Sequence, residues 1–320
     1  MRYRTLGASG LRVSEIGFGT WGLGGTAQGA VAYGPTDDAQ SMAALRAAFD
    51  RGITFFDTAD LYGYGHSEEV LAAAFATMRQ RVVIASKGGM LNAAGAQDFS
   101  PRHLRAALEA SLRRLRTDYI DLYQLHSPSI EHLRAEGARR ELERFQAEGK
   151  IRAYGVSARS PEDAAVAVTE LGYACVQANF SLVDQRALEC GLFEACRSRS
   201  AAVIARTPLC FGFLTGRYGA ATAFDEHDHR RRWGAEQRER WASALGLFVA
   251  AMASRPGQTP AQFALRFCLS FPEVATTIPG MLSEEHVHEN AAASDLGPLG
   301  EREIAQIVDV YREHSFFVGA

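Results

Sequence analysis

The chain has 320 residues, 47% of them hydrophobic, with 34 basic and 37 acidic side chains and a formal net charge of −3. That balance gives no electrostatic ground for nucleic-acid or membrane-surface binding, no run approaches the ~20 apolar residues that span a bilayer, and the opening residues Met1 to Gly7 carry no apolar signal core. Five scattered cysteines (Cys175, Cys190, Cys196, Cys210 and Cys268) include no C-x-x-C pair, which argues against a disulfide frame or a zinc site and for reduced thiols in the cytoplasm.

In chain order, Arg2–Leu6 and Leu11–Ile16 flank the glycine-bounded stretch Gly7–Gly10 and predict a hairpin over residues 1–16. Eight short apolar runs follow, at Ser14–Gly19, Ile53–Asp57, Val82–Lys87, Tyr119–His126, Ala153–Ser157, Cys175–Asn179, Ala202–Thr207 and Val274–Pro279. Helical stretches lie between them. Ser100-Pro101, Ser160-Pro161 and Thr259-Pro260 each combine an N-cap residue with a proline at the first helical position. Eight β-α units predict an α/β fold, a (β/α)8 TIM barrel forming one domain over 1–320, its bottom closed by the hairpin. Residues 209–238, rich in Gly, Arg, His and aromatics, break the alternation and predict a long lid loop after the seventh strand.

Of the 34 basic residues only Lys87 and Lys150 are lysines, so 32 are arginines. Lys87 ends a buried-strand pattern, Val82 to Ser86, just before Gly88-Gly89. A buried ammonium is costly unless it is paired or working, and a guanidinium does not replace it as a point charge. Catalysis in such a barrel sits at the C-terminal ends of the strands. Asp57 ends the second predicted strand with Tyr62 just beyond it, Lys87 ends the third and His126 the fourth. Singly, each has a plain alternative: a snorkelling lysine, a turn-capping aspartate, a loop tyrosine, a satisfied core histidine. Together they form an acid set. An ammonium stabilises the phenolate of a tyrosine, a carboxylate keeps the ammonium charged, and a neutral imidazole holds a carbonyl oxygen.

At these segments the chain resembles the aldo-keto reductase superfamily. The resemblance rests on Phe56-Asp57-Thr58-Ala59-Asp60-Leu61-Tyr62-Gly63, Ile84-Ala85-Ser86-Lys87-Gly88-Gly89 and Asp121-Leu122-Tyr123-Gln124-Leu125-His126. It implies a catalytic tetrad of Asp57, Tyr62, Lys87 and His126, and NAD(P)H-dependent reduction of an aldehyde or ketone with Tyr62 as general acid. It also implies a cofactor path. Gly155-Val156-Ser157 would bind the carboxamide, with Ser157 in that turn, and Gln177-Ala178-Asn179-Phe180 would form the nicotinamide-stacking segment, with Gln177 among its cofactor contacts and Phe180 as the stacking ring. The stretch from Thr207, Pro208 and Leu209 through Gly212, Leu214 and Arg217 would strap the pyrophosphate. Ile278, Gly280, Ser283, His286, Glu289 and Asn290 would hold the adenosine. The helix start near Ser283 would face phosphate oxygens. Three positions depart from the pattern: Ala158 stands where Asn is common, Phe180 where Tyr is, and Leu282 where many members carry an Arg for a 2′-phosphate. NADP(H) is expected all the same, with NAD(H) as an alternative, and the candidates to replace that Arg are the triplet Arg230-Arg231-Arg232, Arg217 and the start at Ser283.

Gly17-Phe18-Gly19-Thr20-Trp21-Gly22 matches the dinucleotide fingerprint G-x-G-x-x-G, but no helix opens after it, which excludes a Rossmann unit. Gly19, Thr20 and Trp21 instead end the first strand beside the cofactor, with Trp21 walling a substrate pocket that Tyr62, Phe211, Phe213 and Trp233 complete. Asp225, His227, Asp228 and His229 share one polar loop rather than several strand ends, so no metal is expected. Two other functions compete: a barrel lyase or hydrolase using Lys87 to form an imine, and a non-catalytic nucleotide-sensing subunit. The expected partner is a small carbonyl compound, not a nucleic acid or a membrane. The oligomeric state is not encoded legibly.

Overall fold

The structure, a computed structural model, describes residues 1–253 and 255–319; Ser254 and Ala320 of the expected 1–320 domain lie outside the described residues. Strands β1 (Tyr3–Thr5) and β2 (Arg12–Ser14) form an antiparallel hairpin. Eight further strands make one parallel sheet in sequential order: β3 (Phe18–Gly19), β4 (Phe55–Asp57), β5 (Val83–Gly88), β6 (Ile120–His126), β7 (Ile151–Ser157), β8 (Cys175–Asn179), β9 (Ala202–Arg206) and β10 (Val274–Thr277). The sheet curls until its edges meet. Parallel bridges join Ile16 to Thr277 and Gly19 to Gly280, and the Gly17 and Gly19 amides donate to the carbonyls of Thr277 and Pro279 at 2.8 and 3.0 Å. The (β/α)8 barrel expected from the eight runs is therefore observed.

Side-chain parity along the strands divides the core. Phe55, Ala85, Leu122, Ala153, Cys175, Ala202, Ile204 and Ala275 fill the barrel interior together with Leu6, Leu11 and Val13 of the hairpin. Their alternates, among them Phe56, Ile84, Tyr123, Val156, Val176, Ala178, Val203 and Ala205, pack outward against the helices. The hairpin thus plugs the bottom. Its turn runs through Gly7, at φ +52°, where a Cβ would meet the Ala174 carbonyl oxygen at 2.5 Å, so no other residue fits. Buried Glu15 ties the plug down by accepting from both Arg2 and Arg4, and Arg4 also donates to the carbonyls of Leu269, Phe271 and Val274.

The three cap–proline signals open helices Pro101–Leu115, Pro161–Thr169 and Pro260–Leu269, with Ser100, Ser160 and Thr259 each accepting a first-turn amide. Such a cap contributes about 1 kcal/mol. The lid after β9 winds through two short 3-10 turns, Cys210–Thr215 and His229–Arg232. Helix Ala235–Leu247 starts inside the expected 209–238 boundary, because Gly234 breaks the irregular path and Glu236 suits a first helical turn. Among the described residues no helix is long and apolar enough to cross a membrane.

Candidate active site

Inward parity brings the last residues of successive strands to one rim. Asp57 follows inward Phe55, Lys87 follows Ala85, His126 follows Leu122 and Gln124, and Ser157 follows Ala153 and Gly155. Tyr62 arrives from the loop beyond β4. That loop is fixed by a glycine crossing: Gly63, at φ +60°, lies against Gly24, and a Cβ on Gly63 would sit 2.5 Å from the Gly24 carbonyl oxygen.

The Lys87 ammonium is fully buried and donates to Asp57 Oδ1 at 2.6 Å, to the Thr58 carbonyl at 2.8 Å and to Tyr62 Oη at 3.1 Å. An ammonium has three N–H donors, so all are used. Tyr62 Oη is therefore an acceptor toward Lys87, and its own hydrogen is left to point into the cavity. The second carboxylate oxygen of Asp57 accepts from Gln177 Nε2 at 2.8 Å and Gln124 Nε2 at 3.3 Å. Burial alone would drive the Lys87 pKa down; the Asp57 charge and Tyr62 outweigh it and hold the pKa above its ordinary value. For Tyr62 burial is again the largest influence, raising the phenol above its ordinary value despite the downward pull of Lys87. His126, its ring 5.9 Å from that of Tyr62 and nearly perpendicular to it, is held well below its ordinary pKa by burial and then by the Lys87 and Arg206 charges. It is a neutral imidazole at physiological pH.

These groups open onto a cavity of about 480 Å³ lined by Asp57, Tyr62 and His126 at one end and by His286, Glu289 and Asn290 at the other. The expected cofactor residues Gly19, Trp21, Gln177, Thr207, Pro208, Leu209 and Gly212 line it, as do Arg217, Arg230, Ile278 and Gly280. The cleft runs from Tyr62 past Gly212 to the helix Glu284–Leu296 and is polar at both ends.

Five expected cofactor residues do not line it, each for a local reason. Phe180 is fully buried against Phe193, Phe267 and Phe271, because it shares the outward parity of Val176 and Ala178 on β8; it cannot stack on a ligand in the cavity. Thr20 is buried beneath the rim, bonding the Asp57 carbonyl at 2.9 Å. Ser157 lies behind Gln177, donating to its Oε1 at 3.0 Å. Leu214 packs into the core, and Ser283 caps its helix by accepting from the His286 amide. Phe213, expected as a pocket wall, is also fully buried.

The residue that the sequence reading missed at the tetrad is Arg206, on the cavity wall at the end of β9. Parity would have found it, since Ala202 and Ile204 face inward and Arg206 continues their side. The far wall includes Tyr33 and His229, which join Trp21, Phe211 and Trp233 in a cluster of rings with centroids 4.3–5.2 Å apart. His229 also fastens the lid, its amide donating to the Ala32 carbonyl at 2.9 Å. Asp228 is spent on Arg230, two of its contacts being 2.5 and 2.9 Å, so Asp225, His227, Asp228 and His229 do not converge. Among the described residues no group of three His, Cys, Asp or Glu is placed to hold a metal ion.

Of the candidates for a 2′-phosphate, Arg230 and Arg217 are engaged, whereas Arg231 and Arg232 are exposed and Arg232 lines the cavity. Arg230 is buried, locked to Asp228 and boxed by the rings of Tyr33, Tyr218 and Phe224 at 4.3–4.8 Å. Arg217 donates to Glu285 at 2.8 Å and Glu289 at 3.0 Å and lies 3.1 Å from His286 Nε2.

The sequence profile described as the Aldo/keto reductase family matches residues 15–312. The aldo-keto reductase YhdN of Bacillus subtilis is 35% identical over 284 residues, 85% of this chain and 82% of that protein. The glycerol dehydrogenase AKR11B4 of Gluconobacter oxydans superposes with a TM-score of 0.80 at 29% identity, over 99% of this chain and 97% of that one. An aldo/keto reductase of Klebsiella pneumoniae, solved in complex with NADP and acetate, gives a TM-score of 0.73 at 32% identity, over 97% and 95% of the two chains. The chain belongs to the aldo/keto reductase family. It is an oxidoreductase of carbonyl compounds.

Proposed function

We propose that this protein reduces an aldehyde or ketone to an alcohol with NADP(H), NAD(H) serving less well, and that Tyr62 is the general acid. The observation that carries the reading is the saturation of Lys87: with its three donors on Asp57, Thr58 and Tyr62, the Tyr62 hydrogen has only the cavity to point to. The nicotinamide cofactor, when bound, would supply the hydride for the carbonyl carbon. Tyr62 gives its proton to the carbonyl oxygen, and Lys87, kept charged by Asp57, stabilises the phenolate that remains. Neutral His126 directs a ring nitrogen at the same oxygen and holds it within reach of Tyr62. Gln177, with Ser157 bonded behind it, would face the carboxamide, Thr207 to Gly212 would hold the pyrophosphate, and Ile278, Gly280, His286, Glu289 and Asn290 would hold the adenosine.

The rings of Trp21, Phe211 and His229 suit a small polyol-derived or aryl carbonyl, and the similarity to a glycerol dehydrogenase supports the first of these. An imine-forming role for Lys87 is disfavoured, since an imine needs a neutral, free amine and Lys87 is a saturated ammonium. A panel of aldehydes and ketones assayed by NADPH and NADH consumption tests the reading. Carbonyl-dependent oxidation of NADPH supports it; nucleotide binding without turnover of any carbonyl favours a sensing subunit.

A further inference from the structure

Arg206 is held on edge. Its Nε donates to Asn179 Oδ1 at 2.8 Å, Nη2 to the carbonyls of Ala158 at 2.8 Å and Arg159 at 3.4 Å, and Nη1 to Ser157 Oγ at 3.4 Å. The N–H donors of a guanidinium lie in its plane. With four directed at the ends of β7 and β8, the surface that Arg206 turns to the cavity is largely a flat face, and such a face stacks on planar rings. All four acceptors are neutral, so none cancels the charge. The nearest carboxylate of the tetrad, Asp57, is already matched by Lys87. Within the tetrad Lys87 and Asp57 offset each other and Tyr62 and His126 are neutral, and Asp184, the other carboxylate acting on Arg206, is paired with Arg186 at 2.6 Å, so the uncompensated charge beside the tetrad is that of Arg206.

Resting on the function above, we propose that Arg206 lies face-on against the nicotinamide and discriminates between its redox states, holding the neutral reduced ring more tightly than the cationic oxidised one. The hydride must be delivered to a carbonyl held at Tyr62 and His126, which confines the ring to the wall formed by Gln177 and Arg206. Phe180 cannot serve there, since its ring is sealed in the outer core. A fixed cation at stacking distance repels a positive ring in a partly desolvated site, whereas the neutral ring gains a flat contact. The oxidised product is thereby released more readily and competes weakly with the reduced cofactor.

The test is equilibrium titration of the full-length protein, without substrate, with NADPH and NADP+ separately, by calorimetry or tryptophan fluorescence. Arg206→Gln should shrink the ratio of the NADP+ to the NADPH dissociation constant roughly tenfold, equivalent to ~1.4 kcal/mol. Arg206→Tyr, a second neutral variant that keeps a stacking face, should shrink it likewise. Arg206→Lys should retain most of it. Parallel weakening of both nucleotides in Gln and Tyr variants that stay folded by circular dichroism, with the ratio unchanged, would overturn the inference and leave Arg206 as a brace for the ends of β7 and β8. Failure of the unmutated protein to bind either nucleotide would sink the functional reading itself, and this inference with it.

Discussion

Lys87 shows how a single atom can be over-determined. Its three contacts need a compact, tetrahedral donor, and a planar guanidinium placed in the same slot would have to displace Thr58 or Tyr62. Lys87→Arg should therefore lower kcat by at least about 10²-fold although charge is kept; wild-type turnover in that variant would reduce Lys87 to a buried strand end. The pH dependence follows from the shifts. As the proposed general acid Tyr62 would have to be protonated to act, and burial raises its pKa, so its alkaline limb should move upward. His126 is depressed, so its protonation sets in only well below neutrality. A pH–rate profile should be level between pH 6 and 8, and a limb near 6.5 would contradict the neutral-imidazole assignment. The convergence of Asp57, Tyr62, Lys87 and His126 was legible in the sequence because polar or titratable residues at or just beyond the ends of apolar runs are conspicuous. Arg206, which was given no role, and Phe180, which was expected to stack, share one reason. Each sits at a strand end where residue type suggests a role, but the alternation of the preceding residues decides which side of the sheet the side chain takes.

Among the elements, the proposed function would place cofactor specificity in the strap, the lid and the helix Glu284–Leu296. Arg217 is held by two carboxylates that would also repel a 2′-phosphate, Glu285 being exposed and Glu289 largely covered. Replacing the exposed Glu285 alone with Gln should loosen Arg217 and improve NADPH binding several-fold while leaving NADH nearly unchanged, consistent with the ~1.5–3 kcal/mol of a charge-assisted contact. Equal gains for the two cofactors would show that Arg217 does not reach the 2′ position. All eight barrel strands were legible as apolar runs, most of them to within three residues at either end. The exception, Ser14–Gly19, merges two elements: Ser14 closes the hairpin and Phe18 opens the barrel, and the apolar alternation does not register the change of sheet between them. The lid's attachment was not legible at all, because it depends on the backbone of Ala32, nearly 200 residues away in sequence, meeting Asp228 and His229.

At the scale of the whole molecule, the lid and the first-strand loop are bound into one pH-dependent unit. Burial, partly offset by the Ala32 carbonyl, lowers the His229 pKa to about 4 from an ordinary 6.5. The unfolded chain then binds more protons than the folded one between those values, so the contribution is full above about pH 6.5 and is lost as pH falls toward 4. The loss is on the order of 3 kcal/mol. Asp60, raised to about 7 chiefly by burial and by Glu68, acts in the opposite direction, stabilising at low pH and losing its contribution as pH rises through 7. The comparison that isolates His229 is therefore between the wild type and His229→Gln, whose melting temperatures should converge as pH is lowered from 7 to 4; a constant gap would place the histidine's effect in packing alone. The central claim concerns the proton at Tyr62, and Tyr62→Phe tests it directly. Measured on one preparation, NADPH affinity should stay within a few-fold of wild type while carbonyl-dependent NADPH oxidation falls by roughly 10²–10⁴-fold. Near-normal turnover in Tyr62→Phe would contradict the assignment of the acid, and with it the reading of this site.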